Sequence, residues 1–350
     1  MNRLRYVIKA AAFLTVLCLC LGFFSVLLTP KYYQEDIYPT TSTFCEFYQL
    51  EKNSVDVLFL GSSHAVTAFD PCVLYENWGL TSYNLGSEQQ SLLISYYWLK
   101  EALRYQKPSA VVLDTYFLFP YYNSSPINAK EAYLRKALDF MRRSPVFFEA
   151  VHEITKTEPE QSAVSYLFPG VRYHDRLHTL TEKDYQFSRL VHTEGLMGYG
   201  MLLYESEDER YEPIDMFGDA DPDEMVPLMA DCLDRIVSLC EENDIALILT
   251  KTPAVGQTAE KSQCTQNYAD EHGLMFIDFN DSSVYFSELE YNFYSDNSDN
   301  EHANLWGANK ITNYLGGILT DEWMLEGQEH PAWDALSDRH EARLEEMEAE

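Results

Sequence analysis

The sequence predicts an α/β fold built on a mostly parallel five-stranded sheet with helices on both faces. Short, nearly continuous apolar runs recur along the chain, stretches of helical apolar spacing separate them, and Gly, Asp or Pro closes several of them. Such runs read as strands buried on both faces, and their alternation with helices implies parallel connections. The first is Val55-Asp56-Val57-Leu58-Phe59-Leu60, closed by Gly61. Residues 82–85 before Gly86, Ala110-Val111-Val112-Leu113 before Asp114, Ile245-Ala246-Leu247-Ile248-Leu249 before Pro253, and Met275-Phe276-Ile277 follow in order. Between them Leu92, Leu93, Tyr96, Leu99 and Leu103 repeat at helical spacing, as do Leu228, Cys232, Ile236 and Leu239. Further helices are expected over residues 260–272 and 306–319. Ligands of such sheets bind at the carboxyl ends of the strands, so chemistry is expected there.

The N-terminus carries Arg3, Arg5 and Lys9, and the residues from Ala10 to Leu28 are apolar without a charged interruption. As a helix that run spans a hydrocarbon core of about 30 Å. Basic residues before it and Glu35 and Asp36 after it place the start in the cytoplasm and the rest outside. A cleaved signal peptide is the alternative, but no small-x-small site ends the run and Leu19 before Cys20 is a poor lipoprotein site, so an uncleaved transmembrane helix is expected. The expected layout is a basic end at 1–9, an anchor at 10–29, a docked spacer at 30–52, a single domain at 53–322 and an acidic tail at 323–350. Residues 120–224 are too long for an ordinary connection and read as a largely helical insertion between strands 3 and 4, able to cap the site.

With 46% hydrophobic and 23% charged residues, the 350-residue chain has ample core material. Its formal charge of -31, from 25 basic and 56 acidic residues, disfavours nucleic acid as a partner. Seven cysteines follow no zinc spacing, so neither a metal nor any other cofactor is expected and no disulfide can be assigned.

Two polar segments carry the chemistry. Gly61-Ser62-Ser63-His64 follows the first strand directly, where Gly permits a sharp turn and a helix start favours developing negative charge. Asp299-Asn300-Glu301-His302-Ala303-Asn304 precedes the last helix. A hydroxyl needs a base to become a nucleophile, His has a suitable pKa, and an Asp three residues earlier can hold its other nitrogen.

These segments resemble the SGNH, or GDSL-type, hydrolases. Gly61-Ser62-Ser63 matches the family's nucleophile block, Gly86 in Asn84-Leu85-Gly86-Ser87 its second block, and Asp299 with His302 its final Asp-x-x-His block. The three matches occur in the family's order over roughly Val55 to Leu319 apart from the insertion. The resemblance implies a flavodoxin-like three-layer sandwich, catalysis by Ser63, His302 and Asp299, and an oxyanion hole from the N–H groups of Ser63 and Gly86. The anchor, the Gly-Ser-Ser-His start, and His302-x-Asn304 followed by Gly307 and Lys310 resemble bacterial surface proteins related to teichoic acid D-alanylation and alginate acetylation. That implies an esterase or O-acyltransferase acting on acyl groups, acetyl first among them, of envelope polysaccharide beside a membrane-bound O-acyltransferase.

One departure is visible. The family's third block supplies an Asn to the oxyanion hole, whereas here Leu113-Asp114-Thr115-Tyr116 stands in its place. Losing one such donor costs about 3 kcal/mol of transition-state stabilisation, so either Thr115 or a cap residue replaces it or the site is weak. Asp114 is a candidate substrate contact or turn cap, His64 a candidate pocket residue, and Asn304 a candidate site residue or helix cap. Tyr116, Phe117 and Phe119 fall at the expected site edge, as does Lys251-Thr252-Pro253. His174, Asp175 and Arg176 read as a salt-bridged turn or an anion site. The missing Asn keeps two other classes open, a non-catalytic accessory of a membrane O-acyltransferase and a polysaccharide-binding module.

Overall fold

The computed structural model describes residues 2–206, 211–214, 220–327 and 329–349, so parts of the expected insertion, 207–210 and 215–219, lie outside the described residues. Five strands, β1 (Val57–Leu60), β2 (Ser82–Asn84), β3 (Ala110–Asp114), β4 (Ala246–Lys251) and β5 (Met275–Asp278), form one all-parallel sheet in the order β2-β1-β3-β4-β5. The register sets Phe59 between Asn84 and Val112, and Asp114 beside Thr250.

Successive strand residues point to opposite faces, and both faces are covered. Leu58, Leu60, Val111 and Leu113 join one apolar cluster with Trp98, Leu233 and Ile236. Val57, Phe59, Val112 and Ile248 join another with Ala65, Phe69, Ile311 and Leu315. Burial on both sides explains why the strands read as continuous apolar runs, with each buried Leu or Phe contributing about 1.5–3 kcal/mol over exposure. The helices Leu92–Ala102 and Pro227–Glu242 pack together, and Leu305–Asp321 packs on Ser63–Ala68 and Pro71–Trp78. The chain leaves β1 toward β2 on one side and crosses back to β3 on the other. That reversal opens a crevice at the carboxyl ends of β1 and β3.

One helix, Asn2–Leu28, is long and apolar enough over Arg3–Leu28 to cross a membrane. Its side chains from 3 to 20 are exposed, but its last turns are built into the fold. The Gly170 N–H donates to Ser25 Oγ at 3.2 Å, and a Cβ on Gly170 would lie 3.1 Å from the Ser25 nitrogen. Lys31 Nζ donates to the carbonyls of Val26, Leu27 and Thr29, and Arg176 to that of Leu28 at 2.6 Å. These cations satisfy the otherwise unpaired carbonyls of the helix end, where the dipole favours positive charge. Asp184 neutralises both, at 3.7 Å from Lys31 and 3.1 Å from Arg176. Arg176 therefore has a structural role, holding the N-terminal helix rather than an anion or sugar. His174 and Asp175 pair with each other at 3.1 Å on the exposed surface.

Between β3 and Pro227–Glu242 the chain forms the helices Glu131–Leu138, Pro145–Thr157, Ala163–Leu167, Pro169–Arg172 and Glu182–Tyr185. All seven cysteines are free. Pro331–Ala349, within the segment expected as a tail, is a helix whose Trp333 and Leu336 are buried. Trp333 Nε1 donates to the Ser82 carbonyl at 3.0 Å, and Arg339 pairs with Glu46 at 2.8 Å. Its acidic end, with Glu341, Glu345, Glu346 and Glu348, is solvated.

His340 Nε2 lies 2.8 Å from Asp70, the residue that also caps Pro71–Trp78 through the Cys72 N–H. Burial alone would lower the His340 pKa, but the hydrogen bond and charge of Asp70, with the charge of Glu76, outweigh it and hold the value above 6.5. A raised folded value means the contribution is complete below pH 6.5 and is lost as pH rises through the folded pKa. His340→Ala is expected to lower stability by on the order of 1 kcal/mol at pH 5.5. Thermal melts of both proteins across pH 5.5 to 8.5 should converge toward the alkaline end.

Candidate active site

The site begins with the turn that ends β1. Gly61 has φ +149°, a region that favours glycine, and a Cβ there would lie 2.5 Å from Asp114 Cβ. The next residue, Ser62, caps the helix Ser63–Ala68 by accepting from the His64 N–H at 3.3 Å. Its own hydroxyl and N–H donate to Asp114 Oδ2 at 2.7 and 3.1 Å, and the Tyr116 N–H donates to Asp114 Oδ1 at 3.1 Å. Burial pushes the Asp114 carboxyl up, against the opposing effect of those three donors. Asp114 thus clamps the β1 turn to the end of β3, acting as the turn cap rather than turning its carboxylate to the cleft. Ser63 follows at the first helical position, where an N–H has no intrahelical acceptor.

The second half arrives on the loop before Leu305–Asp321. His302 Nε2 lies 2.8 Å from Ser63 Oγ, and His302 Nδ1 lies 2.9 and 3.0 Å from the two Asp299 oxygens. Asp299 also accepts the backbone N–H groups of Glu301 and His302, at 2.7 and 2.8 Å, so the loop is folded around its carboxylate. Partial burial would raise the Asp299 pKa, yet the His302 hydrogen bond and charge and these N–H groups hold it below the ordinary value. Ser63 and His302 are only 5% and 7% exposed, while Asp299 is open to solvent on its outer side. Two strand ends and one loop therefore bring Ser63, His302 and Asp299 into a single hydrogen-bonded chain.

The other expected site residues divide. His64 is buried with its ring stacked on Tyr116 at 3.9 Å and 5.3 Å from the His302 ring, so it does line the site. Its Nδ1 bonds Thr252 Oγ1 at 2.9 Å, and burial, with the charge of His302, drives its pKa well down. Gly86 does not offer a free donor: its N–H donates to Asn84 Oδ1 at 3.0 Å. The reason is local, because Asn84 turns its amide under the loop to reach the Ala65 carbonyl at 2.7 Å. Gly86 is needed instead for close approach, since a Cβ would lie 2.9 Å from Val66 Cγ2. Thr115 is no substitute for the missing Asn, because its N–H and hydroxyl both donate to the Thr250 carbonyl at 2.9 Å.

Asn304 caps Leu305–Asp321, accepting from Trp306 and Gly307 and donating to the carbonyls of Tyr204, Ser295 and Asn297. It is fully occupied as a helix cap and does not contact the Ser63 hydroxyl. Phe117 and Phe119 are core residues, and Lys251 is buried against Ser262, where burial lowers its pKa to about 8 despite Asp278.

Three further residues stand at the site: Thr252, on the segment expected at its edge, and Tyr38 and Glu301, to which the sequence assigned no role. Tyr38, from the spacer, places its hydroxyl 3.2 Å from His302 Nε2, beside Ser63. Glu301 accepts from the Tyr116 hydroxyl at 3.1 Å, and Thr252 holds His64. Among the described residues, ligand atoms of His64, Glu301 and His302 lie within 4.8 Å of one another, the one group able to gather a metal. The larger surface grooves, such as that lined by Tyr75, Trp78 and Trp333, lie elsewhere. No family model matches the chain and no curated protein does, so the site is read from its own geometry.

Asp114→Ala strands the Ser62 hydroxyl and N–H in a buried place and is expected to cost about 2–4 kcal/mol in a denaturant titration. Gly61→Ala should destabilise comparably through steric conflict with Asp114, while a surface control such as Gln263→Ala should not move the midpoint.

Proposed function

We propose that the chain is a membrane-anchored, extracytoplasmic serine esterase or O-acyltransferase of SGNH type, on a flavodoxin-like three-layer sandwich with a helical insertion. The chain of contacts from Asp299 through His302 to Ser63 Oγ, at 2.9 and 2.8 Å, carries this reading. In it, Ser63 Oγ attacks an ester carbonyl and its proton passes to His302 Nε2, while Asp299 fixes the Nδ1–H tautomer and balances the imidazolium. The tetrahedral oxyanion would be met by the Ser63 N–H and the Tyr38 hydroxyl. Burial, with the charges of Asp299 and Glu88, raises the Tyr38 pKa, so the phenol stays a donor. The departing alcohol takes the proton from His302. Water or a polymer hydroxyl, deprotonated in turn by His302, then resolves the acyl-enzyme.

The basic Arg3, Arg5 and Lys9 support a cytoplasmic N-terminus and hence an outside site, where acylated envelope polysaccharide is the natural substrate class. A membrane O-acyltransferase is the partner this reading implies. A second reading, a non-catalytic accessory that positions the polymer, is favoured by the occupied Gly86 N–H and Thr115 hydroxyl.

Labelling of the detergent-solubilised full-length protein with a fluorophosphonate separates the two. Under the catalytic reading wild type is labelled and Ser63→Ala is not, and ester cleavage falls by at least about 10³-fold in Ser63→Ala and His302→Ala. Unlabelled wild type, together with full function of Ser63→Ala in cells, would establish the accessory reading instead.

A further inference from the structure

We infer that the same cleft binds a divalent transition-metal cation of zinc type through His64, Glu301 and His302, and that the bound cation blocks Ser63. The binding is independent of the esterase reading; only its inhibitory consequence rests on that reading.

Two imidazoles and a carboxylate with room for a further ligand form a donor set suited to zinc. Here their ligand atoms lie within 4.8 Å of one another. A tetrahedral ion with bonds of about 2.0–2.1 Å holds its ligands roughly 3.4 Å apart, so the widest pair must close by up to about 1.4 Å. Glu301, half-buried on a loop, has more room to move than the two buried imidazoles.

An independent observation comes from the groups behind these ligands. Metal-bound imidazoles are oriented by a partner on the other ring nitrogen, which fixes the tautomer. His302 Nδ1 faces Asp299 at 2.9 Å, and His64 Nδ1 faces Thr252 Oγ1 at 2.9 Å. Glu301 is held by the Tyr116 hydroxyl at 3.1 Å, and Tyr116 also stacks on His64. Each of the three ligands thus has its own support, in an arrangement that leaves Nε2 of both rings directed to the cleft. Nε2 of His64 has no hydrogen-bond partner among the described residues, and the esterase mechanism assigns that atom no task.

The inhibitory consequence follows from one lone pair. His302 Nε2 accepts from Ser63 through the electron pair it would donate to a metal. It cannot do both, so an occupied metal site leaves Ser63 without its base.

Zinc chloride titrated calorimetrically into chelator-treated, detergent-solubilised full-length protein is expected to give one site. His64→Ala and Glu301→Gln should each weaken it at least tenfold, and Ser63→Ala should keep it. Glu301→Gln alters a half-buried loop residue and retains the shape of the side chain, so it tests the site even where His64→Ala fails to fold. Absence of binding, or zinc affinity unchanged in Glu301→Gln, overturns the inference and points to scattered surface carboxylates. Fluorophosphonate labelling of Ser63 without zinc, suppressed by zinc in wild type and not in Glu301→Gln, supports the inhibitory consequence. Zinc binding to a protein that is never labelled leaves the metal site standing and removes the esterase reading.

Discussion

Asp114 ends β3 with its carboxylate turned away from solvent and toward the neighbouring strand, where it accepts the Ser62 hydroxyl and N–H and the Tyr116 N–H. Everything at the site is referred to that position. The turn at Gly61 can close only against it, since the missing Cβ of Gly61 is the space that Asp114 fills. Ser62 then caps the helix that starts at Ser63, and Tyr116 is aimed so that its ring supports His64 and its hydroxyl supports Glu301. A buried carboxylate is costly unless its lone pairs are used. Three donors from two segments offset that cost and fix the geometry between the segments in doing so.

The same logic recurs where other parts join. Glu46, buried in the helix Thr40–Phe47, accepts from the N–H groups of Gly195 and Met197 and pairs with Arg339. One carboxylate thereby ties the segment after the N-terminal helix to the loop over β2 and to the C-terminal helix. Asp184 does the equivalent for the N-terminal helix through Lys31 and Arg176. Because that helix ends inside the fold, the orientation of its last turns is rigidly linked to the domain. Tyr38 reaches His302 from the segment just beyond it, so the connection to the N-terminal helix is also part of the site's wall.

The sheet was legible because strands buried on both faces need apolar residues at nearly every position, a pattern that survives without knowledge of their neighbours. The five runs read from sequence lie within a residue or two of β1 to β5. Ser63, Asp299 and His302 were legible for a related reason, since a strand end and a polar loop before a last helix are local features. Gly86 and Thr115 were misread because the direction of an N–H or a hydroxyl depends on which acceptor is nearest. Those acceptors, Asn84 Oδ1 and the Thr250 carbonyl, belong to side-chain rotation and strand pairing. Trp333 was read as part of a tail because one aromatic among acidic residues carries no periodic signal, although it is buried against β2.

The sequence by itself determined the apolar N-terminal helix, the parallel α/β sheet and the segments that hold Ser63 and His302, because hydrophobic spacing and turn chemistry act over a few residues. Only the tertiary structure decided that Asp114 serves the turn, that Asn304 serves a helix, and that Tyr38, Thr252 and Glu301 share one cleft with His64. Those assignments are fixed by contacts between residues far apart in the chain, down to an atom and a direction. No local pattern encodes them, since each polar side chain has several possible partners until folding leaves it one.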